Sequence, residues 1–215
     1  MKIVLFGATG NVGQRIVREA LERGHEIVGV VRGPASAAAP DPRVTLVRGD
    51  ATDAASVAAV VAGADAVVSA ISPRPGSTGS APSLVDAARA LIAGVREAAV
   101  KRLVVVGGAG SLEVAPGVML LDAPGFPEEY RAEATDGRDA LAVYRAEAVG
   151  LEWTFISPAA VIQPGERTGK YRTTIDQFLT DAEGKSEISF EDFAVALVDE
   201  LERREHVGRR FGVAY

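Results

Sequence analysis

The chain has 215 residues, of which 47% are hydrophobic and 24% charged, so it can fill one sizeable core and does not belong to the disordered class. Its formal net charge of −6 argues against a nucleic-acid partner, because binding a phosphate backbone needs a basic face. The sequence has no cysteine, which excludes disulfide bonds and thiolate metal sites, and we expect no metal site.

No apolar segment approaches the length of a membrane span, and the N-terminal apolar run meets a glycine too early for a signal peptide. We therefore expect a cytoplasmic protein with no membrane partner. Its length and the lack of an evident linker predict one domain over residues 1–215. The sequence leaves the oligomeric state open between a monomer and a homodimer.

The N-terminal residues have the pattern of a buried strand, a glycine turn and an amphipathic helix. The apolar run Lys2–Phe6 predicts the strand, and the turn Gly7–Gly13 follows it. We expect Gly7 to permit a sharp turn, Gly10 to let the backbone approach a ligand, and Gly13 to let the helix pack closely on the strand.

The free N–H groups and the positive dipole end of such a helix form an anion site. We predict that the pyrophosphate of a dinucleotide binds there, in contact with Gly7, Thr9, Gly10, Asn11, Val12 and Gly13. The spacing G-x-x-G-x-x-G is one residue longer at the front than G-x-G-x-x-G, and glycine also serves purely structural turns. The flanking strand and helix favour the dinucleotide.

A second apolar strand is predicted over residues 26–31, and Arg32 follows it directly. In dinucleotide-binding folds an acidic residue at this position accepts a hydrogen bond from the NAD ribose, whereas an arginine pairs with the 2′-phosphate of NADP. We therefore predict that Arg32 binds this phosphate and that NADPH is preferred over NADH. The alternative is a solvated arginine at a strand end.

Strands and helices then alternate along the chain. Further strands are predicted over residues 44–48, 66–71, 103–106, 151–156 and 211–215, and helices over 12–23, 54–62, 83–99, 127–149 and 190–204. The segments 33–43, 72–82, 112–127 and 159–174 are predicted to be loops. This alternation predicts an α/β fold with a doubly wound parallel sheet, the Rossmann fold, in which the part from about residue 159 forms the substrate side.

Ligands of open parallel sheets bind at the carboxyl ends of the strands. The residues there are therefore further candidate cofactor contacts, namely Asp50, Ala51, Ala70, Ile71, Ser72, Gly107, Gly108 and Pro158. An Asx-turn or a helix cap is an equal alternative for Asp50. Ser111 follows a glycine run and is a candidate to hydrogen-bond the substrate or the nicotinamide amide, with a turn-forming role as its alternative.

The sequence resembles the atypical short-chain dehydrogenases that bind NAD(P)H. The resemblance is carried by Gly7–Gly13, Arg32, Gly49-Asp50, Gly107–Ser111, Trp153–Pro158 and Ile188–Ala194. Within that group, Gly165–Tyr171 and the C-terminal half are most similar to the NADH-flavin reductases, neighbours of the NmrA-like proteins and of biliverdin reductase B. The resemblance spans nearly the whole chain and implies a nicotinamide cofactor.

The chain departs from the wider superfamily at the proton-transfer pair. Short-chain dehydrogenases use Tyr-x-x-x-Lys, in which the lysine lowers the pKa of the tyrosine. Tyr130, a candidate catalytic residue, is followed four positions later by Ala134, and Tyr144 is followed by Ala148. Reduction of a flavin demands less, because the hydride enters the ring and the remaining proton can come from water.

We therefore expect an NAD(P)H-dependent oxidoreductase that reduces a free flavin or a quinone-like small molecule by direct hydride transfer. The alternative is a non-catalytic NmrA-like sensor that binds the dinucleotide and reports its redox state to a protein partner. A third hypothesis, an epimerase-like enzyme that uses the dinucleotide transiently, is opposed by the missing Tyr-Lys pair.

Overall fold

The computed structural model describes residues 1–33, 39–72 and 83–215. Nearly all of the loop predicted over residues 72–82, and the middle of the loop predicted over residues 33–43, lie outside the described residues. In the described part of the chain, no helix is long and apolar enough to cross a membrane.

The described residues form twelve strands, of which eight build the central sheet. The strands are β1 (Lys2–Phe6), β2 (Glu26–Val31), β3 (Thr45–Arg48), β4 (Ala66–Ser69), β5 (Arg102–Val106), β6 (Glu113–Ala115), β7 (Val118–Met119), β8 (Glu152–Ser157), β9 (Val161–Gln163), β10 (Arg172–Thr174), β11 (Glu187–Ser189) and β12 (Arg209–Ala214). The order in the sheet is β10-β12-β8-β5-β4-β1-β2-β3, and its pairs are parallel except for β10 with β12. The predicted doubly wound α/β fold is confirmed.

Five α-helices cover the two faces of this sheet. They are α1 (Asn11–Glu22), α2 (Ala54–Val61), α3 (Leu84–Glu97), α4 (Glu128–Glu147) and α5 (Phe190–Arg203). Helices α1 and α5 pack together on one face over a core that includes Ile3, Ile16 and Phe193. Helices α2, α3 and α4 cover the opposite face over a core that includes Phe6 and Trp153. Burial on both faces explains why the central strands read as continuous apolar runs.

Two of the predicted loops are wrong in part. The segment 112–127 contains the β6–β7 hairpin and a 3₁₀ turn at Leu120–Asp122, and the segment 159–174 contains β9 and β10. Strand β11 was also not predicted. These elements are two or three residues long and depend on pairings with distant parts of the chain, such as the bond from the Glu113 N–H to the Asp176 carbonyl at 2.8 Å. They are too short to give a local sequence period.

A buried polar network lies at the amino end of the sheet, opposite the glycine turn. The side chains of Arg102 and Glu200 are both 2% exposed, and Arg102 Nη2 lies 2.8 Å from Glu200 Oε1. Arg102 Nη1 also donates to the hydroxyl of Thr154 at 2.8 Å, and that hydroxyl donates to Glu200 Oε1 at 3.0 Å. The network joins β5, β8 and α5 inside the core.

Candidate dinucleotide site

The glycine turn occupies the point at which the strand order reverses, because β1 lies between β2 and β4. Gly7 has a φ of +83°, and a Cβ at Gly7 would lie 2.5 Å from the Ala70 carbonyl oxygen. A Cβ at Gly13 would lie 2.0 Å from the Gly7 carbonyl oxygen. A side chain at Gly7 or Gly13 would therefore clash with neighbouring backbone, and glycine lets the strand, the turn and the helix pack closely.

Gly10 meets a different constraint from its two neighbours in the motif. It is the N-cap of α1 with φ −76° and ψ 169°, values that other residues also adopt. A Cβ at Gly10 would meet only the Gly7 carbonyl oxygen, at 3.3 Å. The protein alone thus has room for a small side chain at Gly10, and space for a ligand is the stronger reason for a glycine there.

The first turn of α1 is suited to an anion. The N-cap makes no side-chain hydrogen bond, and the first turn carries no acidic residue. Helix geometry leaves the N–H groups of Asn11, Val12 and Gly13 without acceptors inside the helix. Together with the helix dipole, these donors can hold a pyrophosphate without any side-chain charge in the turn.

Arg32 and Asp50 lie close together at the ends of neighbouring strands. The N–H of Gly49 donates to the Val31 carbonyl at 3.0 Å, which joins the two strand ends. Asp50 Oδ1 accepts from the N–H of Thr52 at 2.9 Å and from its hydroxyl at 2.7 Å, the Asx-turn that the sequence left as an alternative. These two bonds, and the more distant charge of Arg32, lower the pKa of Asp50 against the opposing effect of its partial burial. Its cofactor role stays a prediction.

The ends of the next strands lie along the same edge. A Cβ at Gly107 would lie 1.9 Å from the Phe155 ring, so β5 and β8 meet closely there. Gly108 has open space around its Cβ position, and Pro158 is buried. The remaining candidates share this edge, with Ala51 buried, Ala70 and Ile71 half-buried and Ser72 exposed. The structure therefore brings the predicted cofactor contacts to one edge, although their contacts with a cofactor stay predictions.

One acidic side chain at this edge, that of Glu133, was not predicted from the sequence to belong to the site. Glu133 lies on α4, which returns from β5 to the parallel strand β8 and therefore begins at the carboxyl edge. The Ser72 hydroxyl donates to Glu133 Oε1 at 3.0 Å. No sequence signal connects these residues, because they are 61 positions apart.

The two candidate tyrosines have very different surroundings. Tyr130 is 56% exposed in the first turn of α4, and its catalytic role stays a prediction. Ala134, at the position of the missing lysine, packs against Gly110 after β5. Tyr144 is 2% exposed and stacks on Trp153 with ring centroids 6.1 Å apart. Burial raises the pKa of Tyr144, so this phenol is unsuited to proton transfer.

Ser111 follows β5, and its side chain contacts β12. It is 5% exposed, and its hydroxyl accepts from Arg210 Nη1 on β12 at 3.2 Å. Arg210 also forms an ion pair with Asp176. These residues line a cavity of about 540 Å³ that α4 and the β6–β7 hairpin border. The contact of Ser111 with the nicotinamide or the substrate stays a prediction.

The segment 164–170 is fastened to the start of α5 and to α1. Asp192 is fully buried and accepts from the N–H of Thr168 at 2.8 Å and of Gly169 at 2.7 Å. Arg167 pairs with Glu19 on α1 through two bonds of 2.7 and 2.8 Å. The bond from Arg167, with a further contribution from Arg23, lowers the pKa of Glu19 despite its burial. The C-terminal region thus braces the helix whose N-terminus is the predicted phosphate site.

This chain is similar to a family model and to known proteins over nearly its whole length. A family model described as NAD(P)H-binding matches residues 7–204. The uncharacterized protein YwnB of Bacillus subtilis is 40% identical over 216 residues, which cover 99% of this chain and 98% of that protein. A candidate epimerase from Bacteroides thetaiotaomicron has a solved structure with 38% identity and a TM-score of 0.88, covering 100% of this chain and 96% of its own. The structure of a candidate NADH-flavin reductase from Streptococcus pneumoniae has 33% identity and a TM-score of 0.85, covering 100% of this chain and 99% of its own.

Proposed function

The chain belongs to the NAD(P)H-binding family, and from this premise we propose that it is an NAD(P)H-dependent reductase that passes hydride to a free flavin or a quinone-like acceptor. The proposal rests on one combination: an anion site at α1 that fits a dinucleotide, and no lysine partner for Tyr130. The similarity to a candidate NADH-flavin reductase supports the same acceptor class.

The missing proton-transfer pair limits which chemical class of hydride acceptor we propose. Reduction of a carbonyl needs a proton delivered to the oxygen as the hydride arrives, and Ala134 leaves Tyr130 without the lysine that lowers its pKa. When a flavin is reduced, the nicotinamide supplies a hydride to the ring and the solvent supplies one proton. The protein then has to orient the two rings and exclude competing reactions. The same reasoning disfavours the epimerase hypothesis, although one structural relative is a candidate epimerase.

Steady-state oxidation of NADPH, measured at 340 nm with FMN, FAD, riboflavin and a small quinone, tests the reductase. We expect turnover above background with at least one of these acceptors. The Gly10→Val variant is the matched control, since it should remove the activity together with the binding. Tight binding of the dinucleotide without turnover for any acceptor would contradict the reductase and favour the NmrA-like sensor.

The proposed preference for NADPH rests on Arg32, the exposed residue that follows β2. The ion pairs formed among the described residues do not involve Arg32, so its charge remains available for a phosphate. Arg32→Ala should weaken NADPH binding by about 1.5–3 kcal/mol, roughly ten- to a hundredfold, because a charge-assisted contact is lost. NADH binding should change little.

Calorimetric titration of both cofactors checks this prediction. Arg48→Ala is a suitable control, because this arginine ends the neighbouring strand β3 and is exposed as Arg32 is. Equal weakening of NADPH and NADH by Arg32→Ala would show that Arg32 does not bind the 2′-phosphate.

We further propose that the protein acts in the cytoplasm as a monomer or a homodimer on a small-molecule acceptor.

A further inference from the structure

A carboxylate on α4 occupies the region that faces the ends of β4 and β5. We propose that Glu133 binds the ribose that carries the nicotinamide, by accepting hydrogen bonds from its hydroxyl groups, and that Ser72 positions the carboxylate. This inference rests on the proposed function, since it requires a bound nicotinamide dinucleotide.

The first argument is the tie between Glu133 and the end of β4. The Ser72 hydroxyl donates to Glu133 Oε1 at 3.0 Å. Ser72 follows Ala70 by two residues, at most about 7 Å of chain. The carbonyl oxygen of Ala70 lies 2.5 Å from the Cβ position of Gly7, against the glycine turn. The carboxylate is therefore tied to the residue that follows β4, and β4 pairs with β1, the strand that leads into the glycine turn.

The second argument is the rigid placement of this part of α4. Ala134, the residue after Glu133, contacts Gly110, which follows β5. Asp136, three residues after Glu133, accepts from the N–H of Leu84 at the start of α3 at 2.8 Å. The helix turn that begins at Glu133 is thus held against both β5 and α3, as a positioning group for a ligand should be.

The third argument is chemical complementarity. A carboxylate accepts hydrogen bonds and donates none, whereas the two hydroxyls of a ribose both donate. Carboxylates already serve this purpose at the other end of dinucleotides, where an acidic residue binds the adenosine ribose. The ribose is neutral, so the negative charge of Glu133 meets no repulsion from the group it would bind. The Ser72 hydroxyl holds one carboxylate oxygen and so limits the orientations of the group.

The test compares NADPH with ADP, which lacks the nicotinamide half and also the 2′-phosphate. Each ligand is compared between the variant and the unaltered chain, so the 2′-phosphate contributes equally to both NADPH measurements. NADPH carries the second ribose, whereas ADP keeps the adenosine and the pyrophosphate but lacks it. Calorimetry of the full chain with Glu133→Gln should show NADPH binding weakened about ten- to a hundredfold, the effect of losing charge-assisted bonds, and ADP binding unchanged. Ser72→Ala should weaken NADPH binding in the same direction by less. Glu129→Gln, an exposed carboxylate in the first turn of α4, should change neither ligand.

The outcomes separate this inference from the proposed function. Unchanged NADPH binding in Glu133→Gln, or equal weakening of NADPH and ADP, would overturn the ribose contact while the reductase could still turn over. Absence of any binding by the unaltered chain would overturn both. If Glu133→Gln shows no cooperative thermal unfolding transition, the variant is not folded, and Glu133→Ser supplies the same comparison with a small polar residue. A loss of affinity confined to NADPH in that variant again supports the contact.

Discussion

Replacing Gly10 with valine is expected to weaken the binding of NADPH and NADH alike by at least about a hundredfold, or about 2.7 kcal/mol. The reason is steric exclusion at the mouth of α1. The N–H groups of the first helical turn bind an anion only if it comes within hydrogen-bond distance of the backbone. A branched side chain at the N-cap would occupy that approach.

The same substitution should leave the fold nearly intact. A Cβ at Gly10 meets only the Gly7 carbonyl oxygen at 3.3 Å, so a shift of a few tenths of an ångström relieves the contact. Valine at Gly13 would be different, because its Cβ would lie 2.0 Å from that oxygen. The pair therefore separates loss of ligand space from loss of structure.

Calorimetry with both cofactors and a thermal unfolding curve check this prediction. Gly137→Ala is the matched control, because the Cβ position of this α4 glycine meets only Leu84, at an ordinary 4.0 Å. It should bind both cofactors as the unaltered chain does. A Gly10→Val protein that binds either cofactor with unchanged affinity would show that the turn is purely structural.

Glu200→Ala is expected to lower the free energy of unfolding by about 3–5 kcal/mol. Removal of the carboxylate leaves the guanidinium of Arg102, whose side chain is 2% exposed, charged and unpaired in the core. Thr154 also loses one of the two acceptors of its hydroxyl, the other being the His206 carbonyl at 3.0 Å. The loss is large because the desolvation of Arg102 is no longer offset by its partner.

Chemical denaturation of Glu200→Ala, of a control variant and of a double variant measures this effect. Glu202→Ala, two residues along α5, removes an ion pair with Arg23 and a hydrogen bond with His25 at a more exposed site, so it should cost about 0–1 kcal/mol. The double variant of Arg102→Met with Glu200→Leu should recover most of the loss, because no buried charge remains. A loss below about 1 kcal/mol for Glu200→Ala would mean that water reaches Arg102.

The layout of the fold could be predicted from the sequence because strands buried on two faces and amphipathic helices each leave a local period. Strand β4 is entirely buried and is an uncharged run with one serine, and α1 places Ile16 and Val17 inside and Gln14 and Arg18 outside. The short strands β9 and β11 could not be predicted this way. They form a pair of their own between segments about 25 residues apart.

The candidate site was predictable where backbone geometry requires one residue type. Gly7 and Gly13 are such positions, since neighbouring backbone fills the space of a side chain. Glu133 carries no such signal, because an acidic residue on a helix is ordinarily solvated. Ser111 was predicted from its place after the glycine run at the end of β5. Its hydroxyl accepts a hydrogen bond from Arg210, and its contact with the nicotinamide or the substrate stays a prediction.

The packing of α1 against α5 has a consequence for how the chain reaches its native state. Arg15 on α1 and Arg23, the residue that caps its C-terminus, pair with Glu191 and Asp199, each 176 residues later. During synthesis on the ribosome, the apolar face of α1 therefore stays uncovered by α5 until nearly the whole polypeptide has emerged. Folding of this layer depends on contacts between residues far apart in sequence, which slows it. The hydrophobic surface that stays exposed meanwhile can bind chaperones or aggregate.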